Sequence, residues 1–257
     1  MSDLSAEGLA EALGTERYGR SLSVLAETDS TNDDARRAAL DGAPDGHVVL
    51  ADHQRAGRGA RGATWSSPAG SDLYLSIVCR APLPLSALAP LTLAVGLGVV
   101  DTVDTRVAQP VQVKWPNDVH IGEKKCAGVL VESLSIGDRV ESLVIGIGLD
   151  VNRAAFQSEL APIATSLRQA TSHTHDRTEV CADLLAHVER WVDRFVSDGA
   201  AAVVPSVEAR LAWRGEHVDA GGREGVLTGL GPDGSLLIQS GNEVMHVRSG
   251  TLRRVDA

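Results

Sequence analysis

The spacing of apolar positions changes period several times along the chain. Leu22 and Val24 alternate with polar neighbours, which predicts a strand over Ser21–Glu27. A helix is expected over Asn32–Leu40, capped by Asp29 or Ser30 and ended by Asp41-Gly42. His47–Asp52 reads as a second strand, and a glycine- and arginine-rich loop follows from Gln54 to Gly70. Asp72–Arg80 reads as a strand with Leu73, Leu75 and Ile77 on one face. Leu85–Val103 is apolar nearly all round, which predicts a buried helix. Val111–Trp115 is a short strand closed by the turn signal Pro116-Asn117-Asp118. Val119–Ile121 and Lys125–Leu134 are expected to pair across Gly122-Glu123, and Arg139–Val151 forms a long strand. Residues 153–176 read as irregular, whereas Thr178–Ser197 carries the helical period.

The texture shifts after Pro205. A short helix over Ser206–Trp213 is followed by five short apolar stretches between Glu216 and Val255, split by tight-turn residues such as Pro232-Asp233-Gly234. Short strands at close spacing predict a small antiparallel barrel. The expected organisation is a lead-in over 1–20 with one helix at Ser5–Leu13, an α+β domain over 21–205, and a β domain over 206–257.

Composition narrows the function. Net charge is −10, which argues against general nucleic-acid binding by long-range attraction. Leu83–Val103, the longest apolar region, is interrupted by Pro84, Ser86, Pro90, Thr92 and Asp101, so no membrane span is expected. The acidic N-terminus has no basic leader. Cys79, Cys126 and Cys181 form no CxxC, which excludes a disulfide framework and fits a cytoplasmic protein.

Four segments could carry chemistry. Gln54–Trp65 combines Gly57, Gly59 and Gly62 with Arg55, Arg58 and Arg61. Such a loop can build an anion site, or it can be a plain surface loop or an RNA contact. Lys114-Trp-Pro-Asn-Asp118, followed by Lys125, places a carboxylate and ammonium groups beside a buried strand, and it also reads as a capped turn. Thr28–Asp34 is a helix cap whose hydroxyls and amide could bind a polar ligand head. Gly146–Asn152 is a core strand whose glycines could let a ligand lie flat on a sheet.

Taken in order, these residues form a set. Ser30-Thr31-Asn32, Gln54 with Gly57-Arg58-Gly59, Trp65-Ser-Ser-Pro68-Ala-Gly70, Lys114-Trp-Pro-Asn-Asp118, Lys125-x-x-Gly128 and Gly148-x-x-x-Asn152 resemble the biotin–protein ligases over roughly residues 22–255. The resemblance is to the ligase-only class without an N-terminal DNA-binding domain. It implies a class II synthetase-like mixed sheet with helices, plus a small SH3-like C-terminal barrel. It implies ATP, biotin and Mg2+, a biotinyl-5′-AMP intermediate, and transfer to a lysine of a biotin carboxyl carrier domain. A cytoplasmic protein is expected, with no nucleic acid or membrane partner and with a homodimer as one possible state.

The same resemblance assigns roles. Arg58, Lys125, Asp118 and Lys114 would be catalytic. Ser30, Thr31, Asn32, Gln54, Gly57, Arg58, Gly59, Ala60 and Lys125 would surround biotin. Arg58, Arg61, Trp65, Asn117, Lys125 and Asn152 would face the nucleotide, and no metal ligands are assigned. Only three lysines occur against 21 arginines, and two of them, Lys114 and Lys125, fall on family positions.

The chain departs from the family where the loop usually reads Gly-Arg-Gly-Arg-x-Gly-Arg: Ala60 and Ala63 replace the second and third arginines. A looser hold on the adenylate is the expected consequence, with Arg61 as a candidate substitute. Competing readings are a lipoate or octanoate ligase or transferase, a non-catalytic biotinyl-AMP-binding protein, and an RGG-loop RNA binder. The last is disfavoured by the charge and by the scarcity of aromatic residues.

Overall fold

A computed structural model describes residues 4–136 and 139–255. Helix α1 (Ala6–Ala12) leads into strand β1 (Leu22–Leu25), helix α2 (Thr31–Leu40), and strands β2 (Val48–Ala51) and β3 (Leu73–Cys79). Helix α3 (Leu88–Asp104) precedes strands β4 (Val111–Lys114), β5 (Asp118–Ile121), β6 (Lys124–Ile136) and β7 (Arg139–Leu149). These seven strands form one sheet in the order β1-β2-β3-β7-β6-β5-β4, parallel at β1–β2 and antiparallel elsewhere.

Alternation along the central strands assigns their two faces. Leu73, Leu75, Ile77, Leu143, Ile145, Ile147 and Leu149 join the main core with α3, as the period-2 pattern of β3 predicts. The opposite face carries Val78 and Val144, packed against Ala35 and Ala39 of α2. Further along that face the side chains shrink or turn polar. Ser76 pairs with Gly146, and a second row runs Tyr74, Gly148, Gly128, Asp118, Lys114 across five strands. That thinning leaves room for a site.

Helix α4 (Leu167–Thr171), capped by Ser166, interrupts the stretch expected to be irregular; five residues are too few to show a period. Helix α5 (Arg177–Asp198) starts at Asp176, whose carboxylate accepts from Thr178 N and Glu179 N, and it buries the predicted face from Val180 to Phe195. Helix α6 (Ala200–Ala209) runs through Pro205, so the expected break there is corrected. Burial of Val203, Val204 and Val207 outweighs the hydrogen bond that proline cannot make. The expectation that no segment could span a membrane also needs correction. Leu85–Asp104 is long and apolar enough by length and composition, but most of it is buried in the core.

Strands β8 (His217–Ala220), β9 (Glu224–Leu230), β10 (Leu236–Ser240), β11 (Glu243–Val247) and β12 (Leu252–Arg254) form a second, antiparallel sheet in the order β11-β10-β9-β8-β12. Side chains tie it to the first, among them Arg254 of β12, which pairs with Glu123 at 2.8 Å. Trp115 Nε1 donates to Gly234 O at 3.1 Å, and Arg61 Nη1 donates to Gly250 O at 3.0 Å. The lead-in is tied down as well: the Glu189 carboxylate of α5 accepts from the backbone N–H groups of Glu16, Arg17 and Tyr18. The three cysteines are free and buried.

Candidate active site

Over the thinned face of the first sheet lies a cleft of about 230 Å3. It is lined by Ser30, Thr31 and Asn32 from the start of α2, by Gln54 and residues 58–61 and 63–65 of the glycine loop, and by Asn117, Asp118, Lys125 and Gly128. The structure thus gathers three of the four segments singled out in the sequence around one space, and the fourth, through Gly146 and Gly148, forms part of its wall.

The polar groups are fixed by one another. Gln54 Oε1 accepts from Thr31 N at 2.9 Å and from Thr31 Oγ1 at 3.1 Å, while Gln54 Nε2 donates to Ser67 Oγ at 2.9 Å. Buried Ser76 places its hydroxyl 2.8 Å from Thr31 Oγ1 and 2.6 Å from Asn32 Oδ1. Ser30 is buried and makes no side-chain cap, so the helix start leaves its hydroxyl uncommitted to capping.

Charged groups complete the lining. Lys125 Nζ is 2.7 Å from Asp118 Oδ1 and 5.1 Å from the centre of the Trp65 ring. The Lys125 backbone is pinned by Ile163 O and Thr165 N, so the ammonium projects from a fixed strand start. Arg58 reaches in from the loop, held by Asp33 at 2.8 Å and Glu132 at 3.0 Å. Asn117 lines the cleft and donates to Val129 O at 3.1 Å. Gly59 and Ala60 line it too, whereas Gly57 sits behind, packed so tightly that a Cβ would meet Trp65 O at 2.6 Å.

The glycines of β7 do not hold open a flat bed for a ligand. Their space is filled from within: a Cβ at Gly146 would strike the Asn32 amide, and one at Gly148 would strike the Trp65 indole. Three sequence-picked residues are used otherwise than expected. Lys114 continues the row beyond Asp118 but stands outside the cleft, 4.9 Å over the Trp213 ring, where burial lowers its pKa against the opposing pull of Asp118. Asn152 also lies outside; its amide donates to His175 O at 2.8 Å and accepts from His175 N at 2.9 Å. Arg61 lines the cleft, yet its guanidinium turns to Gly250, with the Arg61 backbone at φ 56 in the left-handed region. It therefore does not replace the missing loop arginines in kind.

A second pocket of about 160 Å3 adjoins the first and shares Thr64, Trp65 and Lys125 with it. Phe156, Leu160 and Ile163 give it apolar walls, and Asp150 and Arg153 close its floor. Burial, with Asp72 nearby, raises the Asp150 carboxyl well above the usual range despite Arg153. Glu132 and Ser76 belong to the site's framework and carried no motif in the sequence, whereas Ser67 falls within the Trp65–Gly70 motif. Among the described residues no group of three or more His, Cys, Asp and Glu side chains could hold a metal ion.

A profile of the biotin/lipoate A/B protein ligase family matches residues 24–150. The bifunctional ligase/repressor BirA of Bacillus spizizenii is 32% identical over 97% of this chain and 78% of its own. The biotin–[acetyl-CoA-carboxylase] ligase of Mycobacterium tuberculosis is 32% identical, covering 93% of this chain and 91% of that protein. Among solved structures, the biotin protein ligase of Aquifex aeolicus in complex with biotin and ATP superposes with a TM-score of 0.83 at 32% identity, over 92% of this chain and all of the other.

Proposed function

The chain belongs to the biotin protein ligases of the biotin/lipoate A/B protein ligase family, and we propose that it activates biotin with ATP and loads it onto a lysine of a biotin carboxyl carrier domain. The observation that carries this reading is the convergence of Arg58, Lys125 and Asp118 on one cleft that is also lined by neutral hydroxyl and amide groups.

In the first step a biotin carboxylate oxygen attacks the α-phosphorus of ATP and pyrophosphate leaves. Two anions must approach, so the chemistry needs fixed cations between them. Arg58 and Lys125 supply these. The hydroxyls of Ser30 and Thr31 and the amide of Gln54 suit the ureido end of biotin, and the adjoining apolar pocket beside Trp65 takes the base. In the second step the acceptor amine attacks the acyl carbon, AMP leaves, and the amine loses a proton. Asp118, the carboxylate lining the cleft, orients that amine.

Among the described residues there is no ready-built magnesium cage, and Mg2+ would enter with ATP as part of the substrate, where it would offset the triphosphate charge. Cys181 is buried with its thiol pushed up to about 12, which makes it a poor nucleophile for a cysteine-based acyl transferase. The test is biotin-dependent exchange of pyrophosphate into ATP by the purified protein. Exchange with biotin and not with lipoate supports the reading. Exchange with lipoate alone moves the activity to the neighbouring branch, and silence with both overturns it in favour of a binding protein.

A further inference from the structure

The glycine loop carries three arginines with three different fates. Arg55 pairs with Glu27 and Asp29, Arg61 reaches Gly250, and Arg58 alone is held by side chains at the cleft. Arg58 lines the cleft, whereas its two carboxylate partners do not. They grip its two terminal nitrogens from outside the lining.

Glu132 differs from Asp33 in being fixed itself. Its Oε2 accepts from Arg58 Nη2 at 3.0 Å and from Asn32 Nδ2 at 2.7 Å. Asn32 is oriented in turn by buried Ser76, whose hydroxyl lies 2.6 Å from Asn32 Oδ1. The Asn32 amide occupies the space that the absent side chain of Gly146 leaves open. Polarity is forced at each link: the serine hydroxyl donates to Oδ1, so the amide NH2 faces outward, and a carboxylate can only accept what it meets. Both ends of the Asn32 side chain are thereby committed inside the protein.

We infer that Glu132 is a positioning residue for the reaction, fixing Arg58 over the cleft through a relay that starts at Ser76 and Gly146 and passes through Asn32. This rests on the activity proposed above. It assigns Asn32 to the relay instead of to direct contact with biotin. It also explains how a loop with alanine at 60 and 63 keeps one arginine in place: the anchorage is supplied by helix α2, through Asp33, and by strand β6, through Glu132, and not by the loop.

The experiment compares pyrophosphate exchange by the full chain with that of Glu132→Ala, Glu132→Gln, Arg58→Ala and the Glu132→Ala/Arg58→Ala double variant. A residue that acts through Arg58 predicts a loss in kcat/KM for biotin of about tenfold in Glu132→Ala and about threefold in Glu132→Gln. It also predicts no additional loss when Glu132→Ala is combined with Arg58→Ala. Multiplying losses in the double variant, or a wild-type rate in Glu132→Ala, overturn the inference. Tryptic cleavage gives a readout independent of activity: the Arg58–Gly59 bond should be cut several-fold faster in Glu132→Ala, and an unchanged rate overturns the inference. A wild-type chain silent in exchange refutes the proposed activity, and the cleavage rates still decide the anchorage. Glu132→Gln serves both measurements if the alanine variant does not fold.

Discussion

The indole of Trp65 lies against Gly148 in the space that a Cβ at that position would need, with its Nε1 only 2.6 Å from where the Cβ would sit. A ring that separates the main cleft from the adjoining pocket is thus seated on a missing side chain. Gly148→Ala should push the ring off the sheet. The expected outcome is a stability loss of about 1–3 kcal/mol, the usual cost of overpacking, together with roughly a tenfold drop in exchange. Urea titration and the exchange assay check both.

On the proposed mechanism the pair formed by Lys125 and Asp118 divides the two half-reactions. Asp118→Asn keeps the shape and removes the charge. Exchange should stay within about threefold of wild type, while transfer to a carrier lysine falls by about a hundredfold, within the usual range for loss of a general base. Parallel losses in both steps would show that Asp118 serves Lys125 alone.

Ala60 lines the cleft where the family usually has an arginine. Ala60→Arg adds a cation to the cleft, beside the path proposed for the phosphates. Release of biotinyl-AMP should slow by about tenfold, one charge-assisted bond's worth. Biotinylation of bystander proteins in a mixed sample is the readout, and it should fall to match.

Below neutral pH the fold should weaken through His120. This ring is buried on β5, its Nδ1 has no partner, and burial with Lys114 nearby lowers its pKa to about 4. The unfolded chain takes up the proton near the ordinary value of 6.5, so between pH 6.5 and about 4 it binds more protons than the native state. Stability present above pH 6.5 is therefore lost as the pH falls through that window, by about 3 kcal/mol at most. His120→Phe keeps a ring and removes the titration. Urea midpoints measured across the window should slope less for the variant.

The order of elements was legible because strand and helix periods run within a few neighbouring residues, as the paired faces of β3 and α5 illustrate. The gathering of Ser30, Gln54, Arg58, Asp118 and Lys125 was legible through motif order. Glu132 and Ser76 were not, because their value lies in partners that are distant in sequence: Asn32 is 100 residues from Glu132 and 44 from Ser76. Asn152 shows the converse. Its polar side chain follows a glycine strand, and only the folded chain reveals that the backbone of His175 takes both ends of the amide. Pro205 misled for a related reason, since a helix packed on valines tolerates a residue that local propensity excludes.

The hydrogen bond from Arg61 to Gly250 makes the last few residues of the chain part of the loop's suspension. An affinity tag fused just beyond them would pull on that suspension, so purification handles for kinetic work belong at the N-terminal end. Two preparations of the same enzyme, tagged at opposite ends, should differ in how long they retain the activated intermediate.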